Sequence, residues 1–238
     1  RFVKSEKFNK PTPAEIAYWG GYFFYHNRLH RNYQDDISLH YYLLASKDGI
    51  TIGKRYFKHE NNKEDYPFSP SGHNLYDNNS KLYYCRDFDN IVYQIHEDSV
   101  VPRFRINLPN PLPASMIEER PNEMSLLRSG YSLGITDIYE YGGLLFFRFV
   151  KDGYIWSCLY NVEESKQVYC AKRIKFLDSS LIDTIDGIYK DCFYSILTPE
   201  YLDYAFSENP LEDYPDLFKT YDVEGDNPVI AFYRAVVR

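Results

Sequence analysis

From residue 81 to 108 short apolar runs alternate with polar clusters. Residues 82–86, 91–96 and 100–106 are rich in β-branched and aromatic side chains, while residues 87–90 and 97–99 hold turn formers. The pattern predicts three short strands joined by two tight turns. The same plan recurs elsewhere. Gly20-Gly21 turns into Tyr22-Phe23-Phe24-Tyr25, and a second run at residues 38–44 leads through Lys47-Asp48-Gly49 into residues 50–57. Gly142-Gly143 turns into Leu144-Leu145-Phe146-Phe147, Lys151-Asp152-Gly153 turns into residues 154–160, and a turn at Glu164 returns through residues 167–176. Lys190-Asp191 precedes Cys192-Phe193-Tyr194-Ser195, and Asn227-Pro228 precedes Val229-Ile230-Ala231-Phe232-Tyr233. An Asp-Gly pair between apolar runs is a strong hairpin signal.

Aligning the short strands on Tyr22, Leu82, Leu144 and Cys192 gives steps of 60, 62 and 48 residues. Strand-built repeats of this size predict propeller blades. A sandwich also produces short strands at intervals, but the recurrence of turn, strand, Asp-Gly turn and second strand favours blades. The expected fold is therefore all-β: a β-propeller of about four recognisable blades, roughly 16–58, 74–108, 130–176 and 183–238, in a single domain over residues 1–238. Residues 1–13 alternate as one further strand, residues 59–74 read as a polar linker, and residues 113–120 and 198–206 as short helical insertions. Thr198 suits the N-cap of the second helix and Pro199 its first position.

Composition supports the β reading, since aromatic residues make up 18% of the chain, with 25 Tyr and 16 Phe. At 238 residues the chain can bury a core without cross-links. A formal charge of -7 opposes binding to a phosphate backbone and so excludes nucleic acid as a favoured partner. No apolar run approaches the length of a membrane helix. The first residue is Arg1, so the expectation is that a signal, tag or upstream portion has been removed. Of the four cysteines, Cys158 and Cys170 are equidistant from Glu164. A hairpin turning there sets them opposite one another, either as a disulfide or as two buried thiols.

Several motifs invite a chemical reading. Gly130-Tyr131-Ser132-Leu133-Gly134 fits the G-x-S-x-G nucleophile elbow literally, but that elbow needs a helix after the serine, and residues 135–139 continue in β-favouring types. His26 and His30 have helical metal spacing, yet follow a strand, where residues four apart lie about 13 Å from each other. His40, His59, His73 and His96 show no ligand spacing. Acidic residues gather at Asp213, Asp216, Asp222, Glu224 and Asp226, and at Asp178, Asp183 and Asp186. They are the chain's candidates for calcium, against the plainer reading of a solvated acidic surface. Tyr18, Trp19, Tyr33, Tyr66 and Phe68 lie in or beside loops, where rings can stack on a sugar or peptide.

The run Asn90-Ile91-Val92-Tyr93-Gln94-Ile95-His96-Glu97-Asp98-Ser99-Val100-Val101-Pro102-Arg103-Phe104-Arg105-Ile106 resembles a characteristic blade of the Bacteroidetes six-bladed β-propeller proteins of unknown function. Gly143-Leu144-Leu145-Phe146-Phe147-Arg148-Phe149, then Trp156-Ser157-Cys158-Leu159-Tyr160-Asn161, and the closing Asp226-Asn227-Pro228-Val229-Ile230-Ala231-Phe232-Tyr233 are similar too. The resemblance implies a cell-envelope or periplasmic protein, lipid-anchored through an export signal and lacking roughly its first two blades. It brings no catalytic residues. The expectation is a non-catalytic binding or scaffolding module for a glycan, peptide or partner protein, with no catalytic, cofactor or metal residue assigned. The alternative is a metal-assisted hydrolase or lyase with carboxylates at one mouth of the channel, and fold does not choose between the two.

Overall fold

The computed structural model describes residues 13–28, 40–59, 69–70, 72–172, 174–176, 179–182, 185–208, 222, 225 and 227–234. Their order is four antiparallel sheets strung along the chain. The first contains β1 (Glu15–Trp19), β2 (Tyr22–His26), β3 (Tyr41–Ser46) and β4 (Lys54–Lys58), and the second β5 (Leu75–Asp77), β6 (Leu82–Tyr84), β7 (Ile91–Ile95) and β8 (Val100–Arg105). The third contains β9 (Ser132–Tyr141), β10 (Leu144–Lys151), β11 (Tyr154–Asn161) and β12 (Lys166–Ala171). A two-stranded hairpin, β13 (Ile174–Phe176) with β14 (Ser179–Ile182), separates it from a last sheet of β15 (Gly187–Tyr189), β16 (Cys192–Leu197) and β17 (Val229–Tyr233). In every sheet consecutive strands are neighbours.

The four aligned positions, Tyr22, Leu82, Leu144 and Cys192, each open the second strand of a sheet. The turn before each holds residues at positive φ, Gly20-Gly21, Asn79, Gly142-Gly143 and Lys190, which matches the right-handed twist of a two-residue hairpin. The first strands touch in sequence, β1 with β5, β5 with β9 and β9 with β15. That juxtaposition places them on the inner side of the array, with later strands stepping outward, as in propeller blades.

Face-to-face packing of the sheets makes two cores. Phe24, Leu43 and Ala45 of the first sheet meet Leu75, Leu82, Tyr84 and Ile95 of the second. Tyr83 and Val92, on the opposite face of that second sheet, join Ile138, Phe146 and Phe149 of the third and Phe193 and Leu197 of the last. Strand periodicity explains the split, because consecutive residues point to opposite faces. Tyr84 accordingly pairs its hydroxyl with His26 Nδ1 at 3.2 Å, while Tyr83 donates to Glu140. On the last sheet Val229, Ala231 and Tyr233 turn inward, leaving Ile230 and Phe232 about half exposed beside Tyr189 and Ile196.

Among the described residues three short helices interrupt the sheets: α1 (Ala114–Glu118), α2 (Glu123–Leu127) and α3 (Pro199–Glu208). The Tyr201 amide donates to Thr198 Oγ1 at 3.3 Å, so Thr198 caps α3 as its side-chain chemistry predicts. One local expectation needs correction. β4 begins only at Lys54, because residues 47–51 form bends in which the Ile50 and Thr51 amides bind the Asp48 carboxylate at 2.8 and 2.7 Å. Tyr18 and Trp19 close β1 beside the Gly20-Gly21 turn, as expected, with Trp19 packed against the first core. The capped helix α2 is an element that the pattern did not predict.

Cys158 and Cys170 stand directly opposite in the β11–β12 ladder, Cα atoms 4.1 Å apart, and form a disulfide. Cys85 and Cys192 are free thiols. Closing a loop of this length stabilises by about 3 kcal/mol in the chain-entropy picture. Reduction is expected to lower the melting temperature by about 6 to 12 °C. Calorimetry with and without a phosphine reductant checks this, and a shift under 2 °C counts against a stabilising disulfide.

Candidate functional site

Where the inner strands converge, residues of the second, third and last sheets enclose a cleft of about 340 Å³. Strand alternation builds it. On β5 Leu75 turns to the first core and Tyr76 to the second, which leaves Asp77 exposed at the rim. Asn79, at φ 59° in the turn to β6, sends its Nδ2 to the Lys190 carbonyl at 3.4 Å. The β5–β6 and β15–β16 turns are thereby tied across the cleft.

Tyr139 of β9 forms part of the wall. Its hydroxyl donates to the Asp186 carbonyl at 2.9 Å, and its ring meets Tyr76 edge-on at 6.2 Å. Burial, followed by the charges of Asp137 and Asp186, pushes that phenol well above its ordinary value, so it remains a donor at neutral pH. The Tyr76 hydroxyl donates to the His73 carbonyl. Asp186 is held from two sides, its amide donating to the Tyr194 carbonyl at 2.9 Å and its carboxylate accepting the Ile196 amide at 2.7 Å. A Cβ at Gly187 would sit 2.6 Å from the Tyr194 ring, so a larger residue there would have to displace that ring from the cleft wall. Glu15 anchors the neighbouring edge, its carboxylate accepting the Asn74 and Leu75 amides at 2.6 and 2.9 Å and facing His73 Nδ1 at 3.3 Å.

A second polar constellation joins the second and third sheets. Glu140, at the outer end of β9, receives Lys81 Nζ at 2.7 Å, Arg103 at 3.3 Å and the Tyr83 hydroxyl. Its own amide donates to Asn78 Oδ1 at 2.6 Å, and Asn78 Nδ2 reaches the Ile138 carbonyl at 3.1 Å. Burial by itself raises the Glu140 carboxyl, but the hydrogen bonds from Lys81 and Tyr83 and the charges of Lys81 and Arg103 outweigh it and hold it below its ordinary value. Every oxygen of this carboxylate is engaged, which suits a clamp between sheets better than a reactive group.

The motifs singled out by sequence fall in different places. Ser132 is buried at the start of β9, donates to the Pro109 carbonyl and is followed by strand, so the elbow chemistry is absent. His26 lies buried against Tyr84, and His59 packs on the Tyr42 ring with centroids 3.6 Å apart. His73 lines the cleft. His30, Tyr33, Tyr66 and Phe68 lie outside the described residues, as do Asp178, Asp183, Asp213, Asp216, Glu224 and Asp226. Asp186 is the acidic candidate that the structure brings into the cleft. Among the described residues no group of three or more His, Cys, Asp or Glu is placed to hold a metal ion. Tyr76, Asp77, Asn79, Tyr139 and Tyr194 were not anticipated. Their one signal was position, each lying in or within three residues of a hairpin turn between the first and second strands of a sheet.

Sheets whose first strands meet at an inner cleft, with the remaining strands stepping outward, define a β-propeller. The chain belongs to the 6-bladed beta-propeller family, which matches residues 14–180. Among solved structures it is similar to a Bacteroides fragilis NCTC 9343 protein described as a "Putative exported protein". The TM-score is 0.69 at 15% identity, over 93% of this chain and 64% of that one. At that identity the likeness is one of fold, and the chain spans less than two thirds of the neighbour's length. No curated protein matches. No helix among the described residues is long and apolar enough to cross a membrane.

Proposed function

We propose that the chain is a non-catalytic binding module of the cell envelope, holding a polar ligand, a sugar or a peptide group, in the cleft where its inner strands meet. The observation that carries this reading is the convergence of Tyr76, Tyr139 and Tyr194 with Asp77, Asn79 and Asp186 around about 340 Å³. Aromatic surface beside a few placed polar groups is the make-up of a small-molecule pocket, and this volume is at the small end of the usual range of about 300 to 1,000 Å³. Two of the groups that could do acid–base work are already committed, Asp186 to the Ile196 amide and Tyr139 to a backbone carbonyl. Export is supported by the Cys158–Cys170 disulfide, which persists in oxidising compartments.

The test is capture on glycan and peptide arrays by the wild-type chain and by Asp77→Trp, which places a ring over the cleft mouth from an exposed position. Expected is one ligand class retained by the wild type and lost in the variant, with melting temperatures within about 2 °C of each other. Equal capture by both proteins, or none by either, overturns the reading. So does stabilisation by calcium that EDTA reverses, which would favour the metal-assisted alternative.

A further inference from the structure

The cleft has a sign. Among the described residues its lining holds the carboxylates of Asp77 and Asp186, His73 as the one basic side chain, and no lysine or arginine. Lys190, in the turn tied to Asn79, contributes its carbonyl to that bond and lays its ammonium over the Tyr189 ring at 5.2 Å. Three tyrosines complete the wall, and the faces of such rings carry the negative part of the aromatic quadrupole.

Carboxylates and tyrosine rings around one small space favour one charge type. A ligand anion would meet two like charges, and the basic side chain of the lining, His73, already faces Glu15 at 3.3 Å. Among the described residues the cleft does not bring together the three or more His, Cys, Asp or Glu side chains of a metal site. An ammonium group suits the wall, since it can donate to the carboxylates and rest against the rings. We propose that the cleft recognises a small ligand through a protonated primary amine, the chemistry shared by an unacetylated amino sugar and a lysine-type side chain. The proposal rests on the binding reading above and narrows it to a charge class.

Asp77 is the residue to test, because it is exposed on the rim, whereas Asp186 also accepts the Ile196 amide. Calorimetric titration of the 238-residue chain with glucosamine, N-acetylglucosamine, lysine amide and norleucine amide separates charge from shape. The expected result is that at least one amine binds about tenfold or more tightly than its neutral counterpart. Asp77→Asn is expected to weaken the amine by about tenfold, and added salt to weaken it further. The two amines distinguish a sugar from a side chain as the source. If a neutral compound binds as tightly as its amine and Asp77→Asn changes nothing, the amine proposal falls while the cleft remains a binding site. If none of the four binds, the amine proposal falls, and the array experiment decides the binding reading on its own.

Discussion

Gly134→Ala is expected to destabilise the protein by about 4 kcal/mol or more, among the largest effects a single methyl can have. Gly134 has φ 101°, in the region where an L side chain is strained, and a Cβ there would lie 2.7 Å from the Phe88 Cα and 2.9 Å from the Phe88 nitrogen. Those neighbours are backbone and cannot rotate away. The clash falls where the second sheet leans on β9, and the next residue's amide, Ile135, donates to the Asp89 carbonyl at 3.1 Å. Asp89 is itself fixed by Arg86 through bonds of 3.0 and 2.7 Å. A shift large enough to admit the methyl therefore has to break an inter-sheet hydrogen bond. Urea unfolding at neutral pH checks the prediction. A loss under about 1 kcal/mol would mean that the sheets separate more easily than this packing implies. Gly153→Ala is the control, with a positive φ of 72° but nothing within 4 Å, and is expected to cost only the conformational strain of about 1 kcal/mol.

How much was legible in the sequence follows from which signals are local. Three second strands were marked by the Gly20-Gly21, Gly142-Gly143 and Lys190-Asp191 turns before them, and the fourth follows a turn with Asn79 at positive φ, so Tyr22, Leu82, Leu144 and Cys192 align as structural equivalents. First strands were harder. β5 has three residues, too few to show a period of two, and it follows directly on a polar stretch. β9 begins at Ser132, inside the Gly-Tyr-Ser-Leu-Gly run and three residues before the stretch read as β-favouring. Helix α2 is one turn long and announced only by its cap, Asn122 accepting the Ser125 amide at 2.9 Å. The cleft was not legible, because Asp77 and Asp186 are separated by 109 positions and meet only through the order in which sheets pack. The Glu140 clamp was hidden in the same way, its partners Lys81, Tyr83 and Arg103 all coming from the neighbouring sheet.

Glu140→Gln is the second large effect expected, and it depends on pH. Glutamine keeps the shape but loses the charge that faces Lys81 and Arg103, whose side chains are 34% and 41% exposed against 9% for Glu140. Breaking a fully buried pair costs about 3 to 5 kcal/mol, and the partial exposure of both cations reduces this to about 2 kcal/mol at pH 7. The folded-state carboxyl lies below its unfolded value. Its contribution is therefore complete above the ordinary glutamate range near pH 4.3 and disappears as pH falls through the lower folded value. Below that point the wild-type side chain is neutral and resembles glutamine. The stability difference between wild type and variant, followed by urea unfolding from pH 7 down to pH 3, is expected to be flat at neutral pH and to close in the acid range. A difference of the same size at both ends would show that Glu140 acts through shape and hydrogen bonding. A closing difference would make its charge the tie between the second and third sheets, and so a support of the wall that carries Tyr139 into the cleft.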